Sequence, residues 1–482
     1  MAMTPRTRTT RRRLLASIGF GMFAVPLLQA CGGTPAPAAA TPVPQATAPT
    51  APATAASAPT AVPTATAGAA VAATQAPAGQ AAPAGAQISM SIATIASPQR
   101  EWQRYWANQW AAKHPDVTLK VEQMVYNDAP KKQLAELATN TMQDVVYSGI
   151  KWFPYSAAKG AFRAIDDYVK ANDPGLDDFY KSAISASSLE GKLFALPYLI
   201  HPGNNALVVF NKNLLDKKNV KVPTDDWTVK DYLDMAVTLT DKTNKIFGMS
   251  YFPSTYYDFC SMARSWGGDD MSTDGRKFTF ATDPKSVEAA QWVADLRTKY
   301  HVAPSRADAQ GLEFPAGRLA TSTLGVNASL GEEKTVGNRF AWDVVLFPKG
   351  PTGVRGYQGF VEMFSVYSQT KQPEKAYDLV VTETSKETGI WAVLKNDYQP
   401  NARKSVWAAP EIKNVSPIFE RVLNWMSTVD GPFPMPYNLR FSELEDKWEN
   451  LSQPLFYGEE PFSQGIQKVQ EACQAIVDLP RP

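Results

Sequence analysis

The stretch from Glu190 to Leu215 constrains the fold more than any other part of the chain. In order, it has the pattern of a turn, a short apolar strand, a break, a second apolar strand and the start of a helix. Gly191 can take the positive φ that the turn needs, Pro197 is expected to end the first strand, and Asn211 precedes the helix. This order suits a chain that crosses from one domain to another.

Strand-like and helix-like segments alternate on both sides of this crossing, which predicts an α/β fold. Before it, strands are predicted at 87–95, 117–125 and 144–147, and helices at 101–113 and 129–139. After it, helices are predicted at 232–240, 259–265, 283–300 and 373–381, strands at 246–251 and 360–367, and further helices from 412 onward. Trp102, Tyr105, Trp106 and Trp110 recur at helical spacing, which favours a core stripe over a binding site.

Motifs along the folded part resemble those of the extracellular solute-binding proteins of ABC importers, in the carbohydrate-binding, maltose-binding-like family. Gly191-Lys192 with Pro197-Tyr198 resembles the turn that closes the first lobe, and 210–215 resembles the segment that opens the second. The chain also resembles further motifs of this family, and they occur in the same order as in the family, at 160–167, 222–228, 266–268, 314–321, 342–350 and 399–403. Many relatives have a tryptophan at the position that corresponds to residues 325–329, and this chain has none there.

The resemblance implies a two-lobed periplasmic-binding-protein-like fold of type II, hinged by crossing strands. One lobe would comprise residues 88–203 with 362–408, and the other 204–361 with 409–482. A protein of this kind captures a small-molecule solute in the cleft between its lobes and delivers it to the permease subunits of an ABC transporter. The expected solute is a sugar or a related compound, and the protein would act as a monomer without cofactor, metal or catalysis.

A sugar presents hydroxyl groups and a flat apolar face, so its site needs aromatic rings and hydrogen-bonding side chains. By the resemblance, the candidates on loops at strand ends are Ser148, Lys151, Trp152, Asn204, Asn205, Tyr256, Tyr257, Trp266, Asn327, Tyr357, Gln358, Glu362 and Arg403. Each could instead pack or make a local bond. Tyr256 and Tyr257 are favoured because a loop after a strand has little need of two rings for a core. Glu362, on a buried strand, would be costly unless it is paired.

The first thirty residues have the pattern of an export signal. Arg11, Arg12 and Arg13 precede the apolar run 14–28, which is short and rich in Gly and Pro for a membrane span. The arginines fit a twin-arginine signal, and an ordinary secretion signal with extra arginines remains open.

Cys31 follows this run in a context that resembles the bacterial lipobox, in which the cysteine carries a lipid that anchors the protein to the membrane surface. Residues 31–87 are almost entirely Ala, Pro, Thr, Gly and Gln without charges, so they are expected to form a disordered tether. The chain would then be held at the outer face of the cytoplasmic membrane. Cys260 and Cys473 are expected to be buried free thiols, although an exported protein could pair them.

The composition and the motifs of the chain argue against several other classes of function. Lys and Arg number 48 against 47 Asp and Glu, which gives no reason to expect a nucleic acid partner. The 3 histidines lie outside any HExxH cluster, and no GxSxG or CxxC motif is present. A glycosidase needs only two carboxylates across a cleft, so an exported carbohydrate-active enzyme stays an alternative. A ligand-independent surface scaffold lipoprotein is the other.

Overall fold

The computed structural model describes residues 87–201, 206–325, 332, 335–357, 359–395, 401–413, 415 and 438–482. The strands are β1 Ile88–Ile95, β2 Val117–Met124, β3 Val145–Gly149, β4 Ser188–Leu189, β5 Lys192–Leu193, β6 Ala195–His201, β7 Leu207–Asn211, β8 Thr321–Leu324, β9 Trp342–Leu346 and β10 Phe360–Val366. The early helices are α1 Glu101–Lys113, α2 Ala129–Thr139, α3 Phe153–Ala158, α4 Asp166–Ala171, α5 Lys181–Ala186, α6 Lys212–Lys217, α7 Val229–Leu239 and α8 Tyr256–Ser265. The later ones are α9 Pro284–Thr298, α10 Arg306–Ala309, α11 Pro373–Glu383, α12 Lys386–Leu394, α13 Lys404–Trp407, α14 Phe441–Tyr457 and α15 Phe462–Val477.

The larger sheet has five strands in the order β2-β1-β3-β10-β6. β1 runs parallel to β2 and β3, whereas β10 runs antiparallel to β3 and β6. Every residue of β3 is buried, as expected for a strand covered by helices on both faces. The carboxyl ends of β1, β2, β3 and β6 therefore meet along one edge of this sheet.

The smaller sheet has three antiparallel strands in the order β8-β7-β9. Leu207 on the central strand is opposite Leu324 on one side and Leu346 on the other. The chain passes from the larger sheet to the smaller one between His201 and Leu207, and returns between Leu346 and Phe360. The crossing predicted between 190 and 215 is therefore present.

The turn that leads into the crossing forms as predicted, but the strand after it is longer. Glu190 and Gly191 both have positive φ in the two-residue turn between β4 and β5, the conformation that twisted hairpins favour. Pro197 was expected to end the first strand, and this is wrong because β6 continues through it to His201. β6 lies at the edge of the five-stranded sheet, and a proline, which lacks an N–H donor, is tolerated in an edge strand.

The strand predicted at 246–251 is also wrong. Only isolated bridges occur there, from Ile246 and Phe247. The Gly248 N–H donates to the Thr240 hydroxyl at 3.1 Å instead of to a neighbouring strand. A Cβ on Gly248 would lie 2.1 Å from the carbonyl oxygen of Ala236, so this backbone packs directly on α7.

Helix starts follow their capping residues. Thr228, rather than Asp226, caps α7 and forms a capping box with Asp231. Thr255 accepts from the N–H of Asp258, so α8 begins at Tyr256, three residues before the predicted start. Trp102, Trp106 and Trp110 of α1 are buried, which confirms the core stripe, while Tyr105 is exposed.

The remaining core is aromatic around α14. The Trp448 ring lies within 6.1 Å of the rings of Tyr256, Phe259, Phe280 and Phe456. Cys260 and Cys473 are free and buried, as expected. In the described residues, no helix has the length and apolar character needed to cross a bilayer.

Candidate functional site

Polar and aromatic side chains collect at the carboxyl edge of the larger sheet. Arg100 follows β1, Tyr126 follows β2, Lys151 follows β3, and His201 is the last residue of β6. Glu362 reaches the same edge from β10. Open α/β sheets bind ligands at this edge, so these side chains are candidates for a ligand site.

Glu362 is the centre of this group and is fully paired. The Arg100 Nη2 donates to its Oε1 at 2.8 Å, and the Tyr198 hydroxyl donates to its Oε2. The Arg100 guanidinium also lies over the rings of Tyr126 and Tyr147, at 5.3 and 5.8 Å from their centres. Burial alone would lower the pKa of Arg100, but the Glu362 carboxylate and these phenols hold it above its ordinary value. The cost expected of a buried Glu362 is thus offset by pairing.

Lys151 links the larger sheet to α14. Its Nζ lies 2.6 Å from the Oε2 of Glu445, and both side chains are mostly buried. The Ser442 hydroxyl donates to the Lys151 carbonyl at 3.0 Å. Burial raises the pKa of Glu445 despite this lysine. Burial and the Glu445 charge raise the pKa of nearby Glu449 to about 7.

His201 lies beside this ion pair at the start of the crossing. Its ring packs on Phe360 with 5.0 Å between centres, and Tyr257 donates to its carbonyl at 3.4 Å. Burial, together with the charges of Arg100 and Lys151, lowers the pKa of His201 to about 3. The imidazole is therefore neutral at physiological pH.

A cleft of about 570 Å³ opens outward from this edge. It lies between the five-stranded sheet with the helices packed on it, here called the larger-sheet body, and the three-stranded sheet with its own helices, the smaller-sheet body. One wall comes from 150–188 of the larger-sheet body, and the other from 264–273 and 352–354 beside the smaller sheet. The hydroxyl-bearing residues of its lining are Ser182, Ser185, Ser188, Ser272, Thr273 and Thr352. Arg264, Asp269 and Asn438 add charge and amide groups. Among the described lining residues, Phe441 is the only aromatic one.

The turn predicted at 266–268 shapes the second wall. Trp266 is the C-cap of α8, and Gly267 has a φ of +88°, which an L side chain rarely adopts. A Cβ on Gly268 would lie 2.7 Å from the Ser286 nitrogen. Two glycines are therefore required here, and their bare backbone widens the cleft.

The structure places most of the predicted site residues behind the cleft walls. Trp152 donates to Gln133, Trp266 packs on Trp292, and Tyr357 donates to the Ala206 carbonyl. The buried members are Ser148, Trp152, Tyr256, Tyr257, Trp266, Tyr357, Glu362 and Arg403. Asn204, Asn205, Asn327, Gln358 and Cys31 lie outside the described residues.

Tyr256 and Tyr257 do not lie on a loop after a strand, so that expectation is wrong. Both lie in the first turn of α8 rather than on a loop, and both are buried in the aromatic core. Arg403 donates to the carbonyls of Thr384 and Pro174, which fixes it within the larger-sheet body. The role of these residues toward a ligand stays a prediction.

Sequence reasoning missed Arg100, Glu445 and the hydroxyl groups of the cleft. Arg100 could have been found, because it follows the end of a predicted strand, as Lys151 does. Glu445 carried no such signal, since it lies on a helix far along the chain and reaches Lys151 only through the tertiary fold.

The chain is similar to known proteins in sequence and in structure. The family described as bacterial extracellular solute-binding protein matches residues 105–417 of the chain. A binding protein of Brucella abortus (strain 2308) is 23% identical over 302 residues, which cover 61% of this chain and 71% of that protein.

Solved structures resemble most of the chain. An ABC substrate-binding protein of Listeria monocytogenes in complex with cycloalternan has a TM-score of 0.71 and 21% identity, covering 82% of this chain and 100% of that one. The GacH receptor of Streptomyces glaucescens, solved unliganded and with acarbose, has a TM-score of 0.67 and 19% identity, covering 81% and 99%. The maltose-bound MalE3 of T. maritima has a TM-score of 0.65 and 18% identity, covering 81% and 100%. These similarities confirm the predicted fold class, two-lobed and of type II.

Proposed function

Because the chain belongs to the family of bacterial extracellular solute-binding proteins, we propose that it captures a sugar or related polyhydroxylated solute and hands it to the permease of an ABC importer. The observation that most supports this proposal is the cleft between the two sheet bodies. Its volume of about 570 Å³ falls within the range of small-molecule sites. Hydroxyl groups line both of its walls, so a bound ligand would contact the two bodies at once.

The chemistry of the lining supports a solute that donates and accepts hydrogen bonds. Serine and threonine hydroxyls can do both, which matches the hydroxyl groups of a sugar. Arg264 is held by Asp269 at 3.2 Å, so its charge is largely neutralised within the wall. An ionised solute has less to gain there than an uncharged one. The related proteins solved with cycloalternan, acarbose and maltose support the same class.

Capture would work through closure of the two lobes. Two chain crossings join the sheets, and such crossings let bodies move about a hinge. A ligand that contacts both walls stabilises the closed form by its differential affinity. We assign residues 88–203 with 362–408 to one lobe and 204–361 with 409–482 to the other, except that Phe360 and Val361 already belong to β10 of the larger sheet. Packing of α14 on α8 and α9 supports placing 441–457 with the smaller sheet.

The N-terminal sequence supports export and anchoring. We propose that residues 1–30 direct export and that a lipid on Cys31 holds the protein at the outer face of the membrane, with 31–87 as a tether. The protein would act there as a monomer, binding its solute without turnover.

A thermal-shift screen of the purified full chain tests the proposal. Sugars and polyols form one arm, and amino acids and phosphodiesters form two others. A ligand that binds only the folded state raises the melting temperature, and the rise grows with the ratio of the free ligand concentration to its Kd. A rise in melting temperature with sugars alone supports the proposal. A rise with amino acids alone, or with phosphodiesters alone, would show that the solute belongs to that class instead of to the sugars. Hydrolysis of labelled oligosaccharides would favour the enzyme alternative, and no response at all would favour the scaffold.

A further inference from the structure

A second cavity, of about 360 Å³, lies on the smaller-sheet body away from the cleft. It shares no lining residue with the cleft. Its lining contains the loops after α7 and α9 and the end of α14, with Lys242, Lys245, Arg297, His301 and Asp308 as the ionisable side chains besides a tyrosine. We name it the lysine cavity.

Positive charge exceeds negative charge in this cavity. Lys242, Lys245 and Arg297 face a single carboxylate, Asp308. The Lys245 Nζ lies 3.8 Å from the Asp308 Oδ1, and 67% of the Lys245 side chain is exposed, so this pair is loose. Within the described part of the chain, Lys242 forms no ion pair.

A buried arginine, Arg297, contributes to the lining of the lysine cavity. Its residue is 7% exposed, and the guanidinium lies over the rings of Phe252 and Tyr457, at 5.0 and 5.1 Å from their centres. Its Nε and Nη2 donate to the carbonyls of Pro304 and Tyr251 at 3.0 Å each. The Nη1 has no hydrogen-bond partner among the described residues. No described carboxylate lies within ion-pair distance of this buried cation.

A buried cation without a counter-ion is costly. Burial lowers the pKa of Arg297 to about 10, and the nearby phenols of Tyr457 and Tyr251 oppose this only in part. A bound anion would supply the missing negative charge. Nη1 is itself closed to solvent, so Arg297 would act on the anion through its charge, and the two lysines would donate the direct hydrogen bonds.

We propose that the lysine cavity binds an oxyanion, in the form of a phosphate or carboxylate group, independently of the solute in the cleft. Its volume exceeds that of inorganic phosphate and leaves room for a small organic anion. The site needs no metal and no movement of the lobes.

Isothermal titration of the full chain with inorganic phosphate and with succinate, at constant ionic strength, tests this proposal. We expect saturable binding of at least one anion, weakened about ten-fold or more in the double variant Lys242→Gln/Lys245→Gln. Preference for phosphate or for succinate identifies the group that the cavity takes. Asp308→Asn removes the competing carboxylate and should tighten binding.

The double variant Lys131→Gln/Lys192→Gln is the matched control, because both lysines are exposed on the larger-sheet body. It changes the net charge equally and should bind like the wild type. Equal weakening in both double variants, or no saturable binding of either anion, would overturn the proposal. The sugar response of the cleft should persist in every variant, so failure here is distinguishable from failure of the transport function.

Discussion

The Nζ of Lys151 lies 2.6 Å from the Oε2 of Glu445, and this ion pair joins the edge of the larger sheet to a helix that packs on the smaller-sheet body. The two side chains are only 20% and 7% exposed. They are thus part of the contact between the two bodies, next to the crossing at His201. An interaction in this position stabilises the arrangement in which the two bodies are close together.

Replacing Glu445 with Gln should therefore loosen the contact between the bodies. Lys151 would keep its charge without a carboxylate, and we expect the free energy of unfolding to fall by about 1–3 kcal/mol. Chemical denaturation measures this change. Asp234→Asn is the matched control, because it breaks the exposed pair with Lys230 at 2.5 Å, and such pairs contribute about 0.5 kcal/mol or less. Equal effects of the two substitutions would contradict the role assigned to Glu445.

The raised pKa of Glu449 predicts a pH dependence of stability. Its carboxyl has a pKa of about 7 in the folded protein against 4.5 ordinarily, because of burial and the neighbouring Glu445. Between these values the folded state holds a proton that the unfolded chain has released, so this group's contribution to stability falls as pH rises from 4.5 to 7. Below pH 4.5 the contribution is constant.

Glu449→Gln should remove this dependence. The variant's melting temperature, relative to the wild type, should be higher at pH 8 than at pH 4, as measured by calorimetry across the range. Glu445→Gln should produce part of the same change, since it removes one of the charges that raise the pKa of Glu449. A difference between Glu449→Gln and the wild type that stays constant with pH would show that this carboxyl titrates normally.

Filling the cleft should abolish solute binding without unfolding the protein. Ser185 lies on α5, is exposed and lines the cleft, so Ser185→Trp places a large ring where the solute would sit. Lys181→Trp, exposed on the same short helix outside the cleft, is the matched control. The sugar-dependent rise in melting temperature should disappear only in Ser185→Trp. Retention of the full response would move the site elsewhere.

Alanine substitutions at the aromatic candidates are less informative. Tyr257 is 2% and Trp266 5% exposed. Truncating such a ring costs about 3–5 kcal/mol of stability. If those variants lost the sugar-dependent rise in melting temperature, the cause could be a damaged fold as well as lost binding. Substitution of the exposed Ser185 avoids this ambiguity.

Cys31 should carry the lipid anchor. Cells fed an alkyne-tagged fatty acid should label the wild-type chain, and Cys31→Ser should lose both the label and the membrane fraction. Cys473→Ser is the control, because that thiol is buried in the fold and should leave labelling unchanged. A wild-type chain without label would contradict the anchor.

The secondary structure was largely predictable where local signals were strong. The bounds of α1 and α2 agree with the prediction to the residue, because apolar spacing defines helices of this length. The Asn211 cap and the Gly191 turn were also visible locally. The strand end predicted at Pro197 was wrong because a proline is tolerated where β6 lies at a sheet edge. No local sequence pattern reveals that position.

The site was less predictable for the same reason. Whether a ring such as Tyr257 faces a cleft or a core depends on the elements that pack around it. A one-turn difference in the start of α8 was enough to move the tyrosine pair from a loop into the core. The pairing of Lys151 with Glu445 joins residues far apart in the chain and follows only from the tertiary fold.

Small-angle X-ray scattering of the full chain, with and without the sugar that gives the largest thermal shift, tests the central claim most directly. If the two bodies close on a captured solute, saturating sugar should reduce the radius of gyration, and Ser185→Trp should abolish that change. An identical scattering profile with and without a sugar that binds saturably would contradict closure around a captured solute.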